Sequence, residues 1–394
     1  MSRKLVAFIC GVAGAVSAGE TYAQDLGLRN LLTPLTDPTD DWRTRTTLTG
    51  QPITMYGQIS QALLYYNDGW TKQTYAPVDN SNASTRVGFL WQLYPIWGID
   101  AVARFEGGIT PRASNSINQI DNSGTGFSFD GTNVRKLEII LDNDRLGTLS
   151  LGQGSMATDS IAEIDLSHTK VTAYSAVSQS AGGQYLRLTD GRLSSLIIGD
   201  VFSNFDGDNV TGYNSDGSRK LRIRYDTPDY KGLKVSFAVG KEVLDSDDDI
   251  YADIAARYEG NFHGVRFSAG AGHSKKGDED VTSGSLSALH HQTGLNFTMA
   301  LGHSSVSGQY NYFKLGVFRD LLPMGQTAFS IDVYNGNNIT GPGSQSRSIG
   351  FAVSQQIKAK NIEIFGLLRH YDYDDQAFDY EASTAFFAGV RWKF

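Results

Sequence analysis

From Ile53 to Phe394 apolar residues recur at every second position, and this period-two pattern restricts the fold more than any other feature of the chain. The clearest stretch is STRVGFLWQLY (84–94). Val87, Phe89, Trp91 and Leu93 fall on one face, with Ser84, Arg86, Gly88 and Gln92 on the other. IDAVARFEGGI (99–109) repeats the pattern, setting Ile99, Ala101, Ala103 and Phe105 against Asp100, Arg104 and Glu106, and 233–240, 265–270, 295–301, 329–334 and 386–394 do the same. Each segment reads as a strand with one apolar face and one small or charged face.

Such strands suit two architectures. In a soluble sandwich the apolar faces pack on each other. In a membrane barrel they meet lipid, and the polar faces line water. Two features favour the barrel. Connections alternate between short turns, at 95–98, 143–147, 228–232, 260–264, 322–325 and 358–361, and longer polar loops, including the acidic clusters at 245–249 and 372–375. The last strand, with Phe386, Ala388, Val390, Trp392 and Phe394 against Gly389, Arg391 and Lys393, ends on an aromatic residue. The segments number about sixteen between 53–66 and 383–394, an all-β transmembrane antiparallel barrel of a size that leaves an aqueous lumen rather than a packed interior. Geometry alone therefore suggests a channel.

The N-terminus agrees with export. Arg3 and Lys4 precede an apolar run from Leu5 to Ala18, and small residues near Ala23 predict cleavage before Gln24, so residues 1–23 read as a signal peptide. Cleavage removes Cys10, the only cysteine, which excludes disulfides and thiolate chemistry, and it shifts the net charge from −8 to −9. An acidic chain argues against nucleic acid as a partner. Residues 24–52 are interrupted by Pro34 and Pro38 and read as a periplasmic extension, leaving 53–394 for the barrel. With Gly (43), Tyr (19) and Phe (20) abundant, Pro scarce (9) and no compositional break, one large β structure is favoured over several soluble domains.

The pattern fails in one place. The alternating segment at Leu149 and Leu151 stops, and no alternation resumes until Leu221. A connection this long, carrying apolar and aromatic residues, is expected to fold inside whatever the strands enclose. It is the third outer loop by count, 154–218.

At this point the chain resembles the general bacterial porins, trimeric sixteen-stranded outer-membrane barrels, and looks most like their alphaproteobacterial members. The resemblance rests on MYGQISQALLYYNDG (55–69), STRVGF (84–89), LGTLSLGQG (146–154), RIRYDTPDYKGLKVSFAVG (222–240) and AFFAGVRWKF (385–394). It implies a third loop bent into the lumen, whose acids face arginines on the wall. Asp159, Glu163 and Asp165 map to the loop, and Arg86, Arg222, Arg224 and Arg135 to the wall. It also implies a homotrimer in outer-membrane lipid and lipopolysaccharide, passing small hydrophilic solutes. Arg104 and Arg266 join the wall group by strand parity. Two departures stand out. Gln153 replaces an arginine common in the family, and placing Arg135 inward turns Leu137 and Ile139 inward too, unless a bulge intervenes or Lys136 and Glu138 line the lumen instead.

Enzymatic readings are weak. His290 and His291 point apart on a strand, and Ser167, His168 and Asp165 lack a nucleophile-elbow motif. No phosphate-binding glycine loop is present and no cofactor is expected. The expectation is a passive diffusion channel. A solute-specific channel, using Tyr174, Tyr185 or Phe202, and a structural or adhesive barrel with a closed lumen are the alternatives.

Overall fold

The computed structural model describes residues 43–47, 50–123, 133–205, 218–244 and 249–394. The expected signal peptide and most of 24–52 lie outside the described residues. Sixteen antiparallel strands close a barrel, as expected. They are β1 (Pro52–Asn67), β2 in two pieces (Lys72–Asp79 and Arg86–Gln92), β3 (Asp100–Gly108), β4 (Val134–Asn143), β5 (Gly147–Ser155), β6 (Arg219–Asp226), β7 (Leu233–Lys241) and β8 (Ile250–Phe262). There follow β9 (Val265–Lys276), β10 (Glu279–His290), β11 (Leu295–Ser304), β12 (Gly308–Leu322), β13 (Gly325–Asn337), β14 (Gln345–Ile357), β15 (Ile362–Asp374) and β16 (Ser383–Lys393).

The seam joins β16 to β1, from Gln58 opposite Lys393 to Asn67 opposite Thr384. Beyond the C-terminal Phe394 the edge of β1 would be bare. The short strand Thr44–Thr46 covers it, with Thr44 opposite Thr54 and Thr46 opposite Pro52, so the ladder continues where β16 stops.

Side chains alternate as the sequence predicts. Ile223, Leu315, Phe351 and Leu368 are exposed on the outer face, forming the band that meets lipid. Trp97, Tyr94, Tyr230 and Phe262, near or within the periplasmic turns, are more exposed still and mark an aromatic girdle at that interface.

Two local expectations are corrected. The polar stretch 68–82, which stands where a longer outer loop is expected, is not all loop, since Lys72–Asp79 pairs with the upper half of β1. The strand then leaves the wall at 80–85, and side chains take over the ladder. Thr85 Oγ1 accepts the Ser60 amide at 3.0 Å, and the Asn80 amide donates to the Ser60 carbonyl at 3.1 Å. The outer connections at 68–71, 277–278 and 305–307 are as short as the periplasmic turns. The charged run at 275–280 looks like a loop by composition, but Lys275 stands opposite Asp280 and Lys276 opposite Glu279. The hairpin closes at Gly277, whose φ of 56° suits a tight turn.

The third connection folds inside the barrel, as its length predicts. From Met156 to Phe205 it contains a short 3-10 turn (Ile161–Glu163), a small hairpin (Tyr185–Arg187 with Leu193–Ile197) and one helical turn (Ile198–Val201). Its apolar side chains, among them Val171, Val177, Phe202 and Phe205, pack with Tyr66, Tyr312 and other inward-facing wall residues in one buried cluster. The second outer loop contributes too, because Ile117 is fully buried in that cluster and its carbonyl accepts Gln184 Nε2 at 2.8 Å. Part of this barrel therefore has an internal apolar core, which the lumen of an empty cylinder would lack.

Candidate channel constriction

The insert lines the inner wall from β8 round to β2. Asp253 on β8 accepts the Ala157 and Thr158 amides at 3.1 and 2.7 Å. Ser285 and Ser287 on β10 accept the Ile164 and Leu166 amides at 2.9 and 3.0 Å. Thr169 meets Ser330 on β13 at 2.7 Å, Tyr371 on β15 donates to the Val177 carbonyl at 2.8 Å, and Asn80 beside β2 donates to the Val171 carbonyl at 2.8 Å. On β9, Gly270 and Gly272 leave room for Ile161, Ile164 and Thr158: a Cβ on either glycine would fall within 3 Å of them. The wall least involved in these contacts is the sector β2 to β6.

That sector is charged, because parity turns its polar residues inward. Glu106 on β3 holds Arg135 at 2.7 Å and Arg86 at 3.9 Å, and accepts the Tyr56 hydroxyl at 3.0 Å. Glu138 on β4 is held in the same way between Arg104 and Arg222. Each carboxylate is thus shared by two guanidinium groups. With Lys136 also turned inward, these seven side chains carry five positive and two negative charges. Sequence parity placed Arg86, Arg104 and Arg222 correctly on the inner face, but Glu106 and Glu138 were missed as organising residues. Their even spacing with Arg104 and Lys136 was the available signal.

The conflict at Arg135 is resolved by a bulge. Lys136 pairs with Glu106 and Val134 with Gly107, so Arg135 is the extra residue between them. Lys136 and Glu138 are therefore buried inward while Leu137 and Ile139 face out, and Arg135 still reaches Glu106. Arg224 is bound to Asp226 at 2.8 Å and to the Met156 carbonyl at 2.8 Å. Arg266 pairs with Glu259 at 3.3 Å, four residues below Gly270 on β9 and so about 13 Å nearer the periplasm. These two arginines stand apart from the paired sector.

The three acids of the insert separate. Asp159 lies where its own carbonyl accepts Arg257 at 2.6 Å. Glu163 pairs with Lys170 of the insert itself at 3.2 Å. Asp165 instead points into the wall, where Lys314 Nζ donates to it at 2.7 Å and to the Ala173 carbonyl at 2.6 Å. Arg86 and Arg135 pair with Glu106, Arg104 and Arg222 with Glu138, and Arg224 with Asp226, all carboxylates of the wall.

The aromatic residues of the insert are withdrawn from water. Phe202 packs on Tyr334 and Tyr371, with ring centroids 5.5 and 5.2 Å away, and Tyr174 is buried; Tyr185 is half-buried. Ser167 Oγ meets Thr169 rather than His168, whose ring lies 4.3 Å from Phe318. Among the described residues no group of three acidic, histidine or cysteine side chains could hold a metal ion.

A family profile described as Gram-negative porin matches residues 5–376. The chain belongs to the Gram-negative porin family. No curated protein matches it by sequence. Among solved structures, the anion-selective porin from Comamonas acidovorans is similar at 17% identity and TM-score 0.57, covering 87% of this chain and 99% of that one. OmpF of Salmonella typhi, solved in complex with daunomycin, is similar at 10% identity and TM-score 0.55, covering 87% and 98%. The channel DcaP of Acinetobacter baumannii is similar at 11% identity and TM-score 0.52, covering 89% and 99%. The porin described here is an outer-membrane barrel that forms a channel for passive diffusion of small hydrophilic solutes.

Proposed function

We propose that solutes cross this porin through the sector bounded by β2 to β6 on the wall and by Asp159, Glu163 and Lys170 on the insert. The accessible surface supports this path. The side chains of Arg135, Arg86, Glu163 and Lys170 keep 22%, 12%, 17% and 13% of their surface open, whereas those of Lys314 and Asp165 keep 0% and 1%. Acids on one bank and a surplus of guanidinium groups on the other set a transverse field that aligns dipolar solutes, strengthened by the low-dielectric walls.

The observation that carries the reading is the sharing of Glu106 and Glu138 between two arginines each. Fixed carboxylates hold the cations at the wall without cancelling them, which favours a weak anion preference. The Comamonas porin, described as anion-selective, leans the same way. We further infer a homotrimer embedded in lipid and lipopolysaccharide, with no enzymatic step. A related barrel, OmpT of Vibrio cholerae, has been described in a trimer form.

Planar-bilayer recording tests this function. Ohmic steps in groups of three and a reversal potential on the anion side in a KCl gradient are expected. Silence from folded, reconstituted protein would refute an open channel. A solute-specific path along aromatic side chains is not favoured, because Tyr174 and Phe202 of the insert are buried.

A further inference from the structure

At the outer mouth three segments meet: the first outer connection (68–71), the hairpin of the insert (Tyr185–Arg187 with Leu193–Ile197) and the last outer loop (375–382). The Glu381 amide donates to the Arg187 carbonyl at 2.8 Å and the Thr189 amide to the Asp379 carbonyl at 3.1 Å, with Leu188 and Tyr380 in an antiparallel bridge between them. Asp68 fixes the first connection to the same hairpin. It accepts the Trp70 and Thr71 amides at 3.0 and 2.6 Å and pairs with Arg187 at 2.6 Å.

These ties set the indole of Trp70 against Gly191 at the tip of the hairpin. A Cβ on Gly191 would lie 2.6, 2.7 and 3.0 Å from three consecutive atoms of the six-membered ring. Such nearly equal distances put the glycine under the ring face rather than at its edge. Gly191 is required twice, because its φ of 90° closes the turn and any side chain would displace the indole. The indole N–H donates to Glu381 Oε1 at 3.4 Å. With one face packed, Trp70 is still 58% exposed, so the opposite face is open to water. Its surroundings are polar and nearly neutral. Asp190 and Arg192 flank Gly191, are exposed, and pair at 2.7 Å. Asp68, Asp190, Asp379 and Glu381 carry four negative charges against three positive ones on Lys72, Arg187 and Arg192, a net of −1. An apolar face thus has acceptors and donors at its margin and little field to select an ion.

We propose that Trp70 is the stacking platform of a saccharide subsite at the outer mouth, taking a neutral pyranose ring whose hydroxyls bond to Asp190, Arg192 and Glu381. A pyranose has the matching polarity, with C–H groups on a face and hydroxyls round the rim. Stacking removes the C–H face and the indole from water, and the hydroxyls both donate to the carboxylates and accept from the guanidinium group. A ring already fixed by Gly191 and Glu381 loses little freedom when the sugar arrives. It is one subsite at the mouth, not a path along the lumen, and it is independent of how ions cross the charged sector.

Saturation-transfer NMR on the folded, detergent-solubilised porin tests the assignment, with trisaccharides of glucose, galactose, mannose and N-acetylglucosamine as probes. At least one should bind saturably with a dissociation constant on the order of 1 mM, and the C–H protons of one ring face should receive the most saturation. Trp70→Ala should weaken that binding about tenfold or more, whereas Trp70→Tyr, which keeps an aromatic face, should weaken it less than about threefold. Replacing Asp190 and Arg192 together with alanine should weaken it about threefold or more, and Trp97→Ala in a periplasmic turn should leave it unchanged. Heat-modifiable gel mobility verifies that each variant is folded, and the reversal potential of Trp70→Ala in a KCl gradient should stay at the wild-type value. Saturable binding of none of the four sugars overturns the proposal, as does equal binding by wild type and Trp70→Ala. Tighter binding of tetramethylammonium than of every sugar also overturns it, by making the open face a cation site.

Discussion

Replacing Lys314 with methionine should separate the insert from the wall. The Lys314–Asp165 pair is fully buried, with side-chain exposures of 0% and 1%, and Lys314 Nζ also donates to the Ala173 carbonyl. Removing one partner of such a pair leaves an uncompensated charge and costs about 3–5 kcal/mol. The other polar ties of this stretch to the wall are the bonds from Ile164, Leu166 and Thr169 to Ser285, Ser287 and Ser330 and from Asn80 to the Val171 carbonyl, each worth about 1 kcal/mol. The penalty therefore matches what those ties supply, and residues 164–173 should leave the wall so that Asp165 reaches water. At about 1.4 kcal/mol per decade, even the lower figure raises the open population more than a hundredfold. Single-channel conductance should rise and become noisier, and the amides of Ile164 and Leu166 should lose hydrogen-exchange protection. Pairing Lys314→Met with Asp165→Leu should restore both, because no charge remains buried. Unchanged conductance and exchange in Lys314→Met would show that the pair does not hold the insert.

Glu163→Gln should move the reversal potential in a KCl gradient further toward anions, and no movement would remove Glu163 from the path. Glu138→Gln leaves Arg104 and Arg222 without their shared carboxylate in a buried site, and should destabilise the barrel by about 3–5 kcal/mol; a lower temperature for the shift in heat-modifiable mobility is the check. At the outer mouth, Asp68 ties the first loop to Arg187 of the insert at 2.6 Å. Burial raises the Asp68 carboxyl, but the bonds from Arg187, Thr71 and Trp70 outweigh it and hold it below the usual carboxylate range. A depressed pKa means that the tie is fully present above the unfolded value of about 3.9 and weakens as pH falls through the folded one. Protection of the 187–193 amides should persist at pH 5 and fade only in stronger acid, whereas Asp68→Asn should already weaken it at pH 5 and above and match the wild type once Asp68 is protonated.

Much of the barrel was legible because period two is a local property. The alternating run 233–240 differs from β7 by one residue, and the even count followed from such runs. Composition misled where it competed with period, as at 275–280, whose charges suggest a loop although their register continues a hairpin. The inward arginines were legible by the same parity. Their partners were not, because Glu106 meets Arg135 only through a bulge and Asp165 meets Lys314 across 149 residues of chain. Such contacts depend on how far the insert travels round the wall, which no local pattern encodes.

The apolar core inside the barrel has a consequence for assembly. Met156–Phe205 is tethered at both ends, between β5 and β6, while its contacts reach β8 to β15 and return to β2. The β1/β16 seam must join strands at the two ends of the chain, which carries the largest loop-closure cost of any pairing here. The insert packs on β8 to β15 and on β2, strands on both sides of that seam, so its contacts help offset this cost. In this porin the element that narrows the channel also ties together the wall on the two sides of its seam.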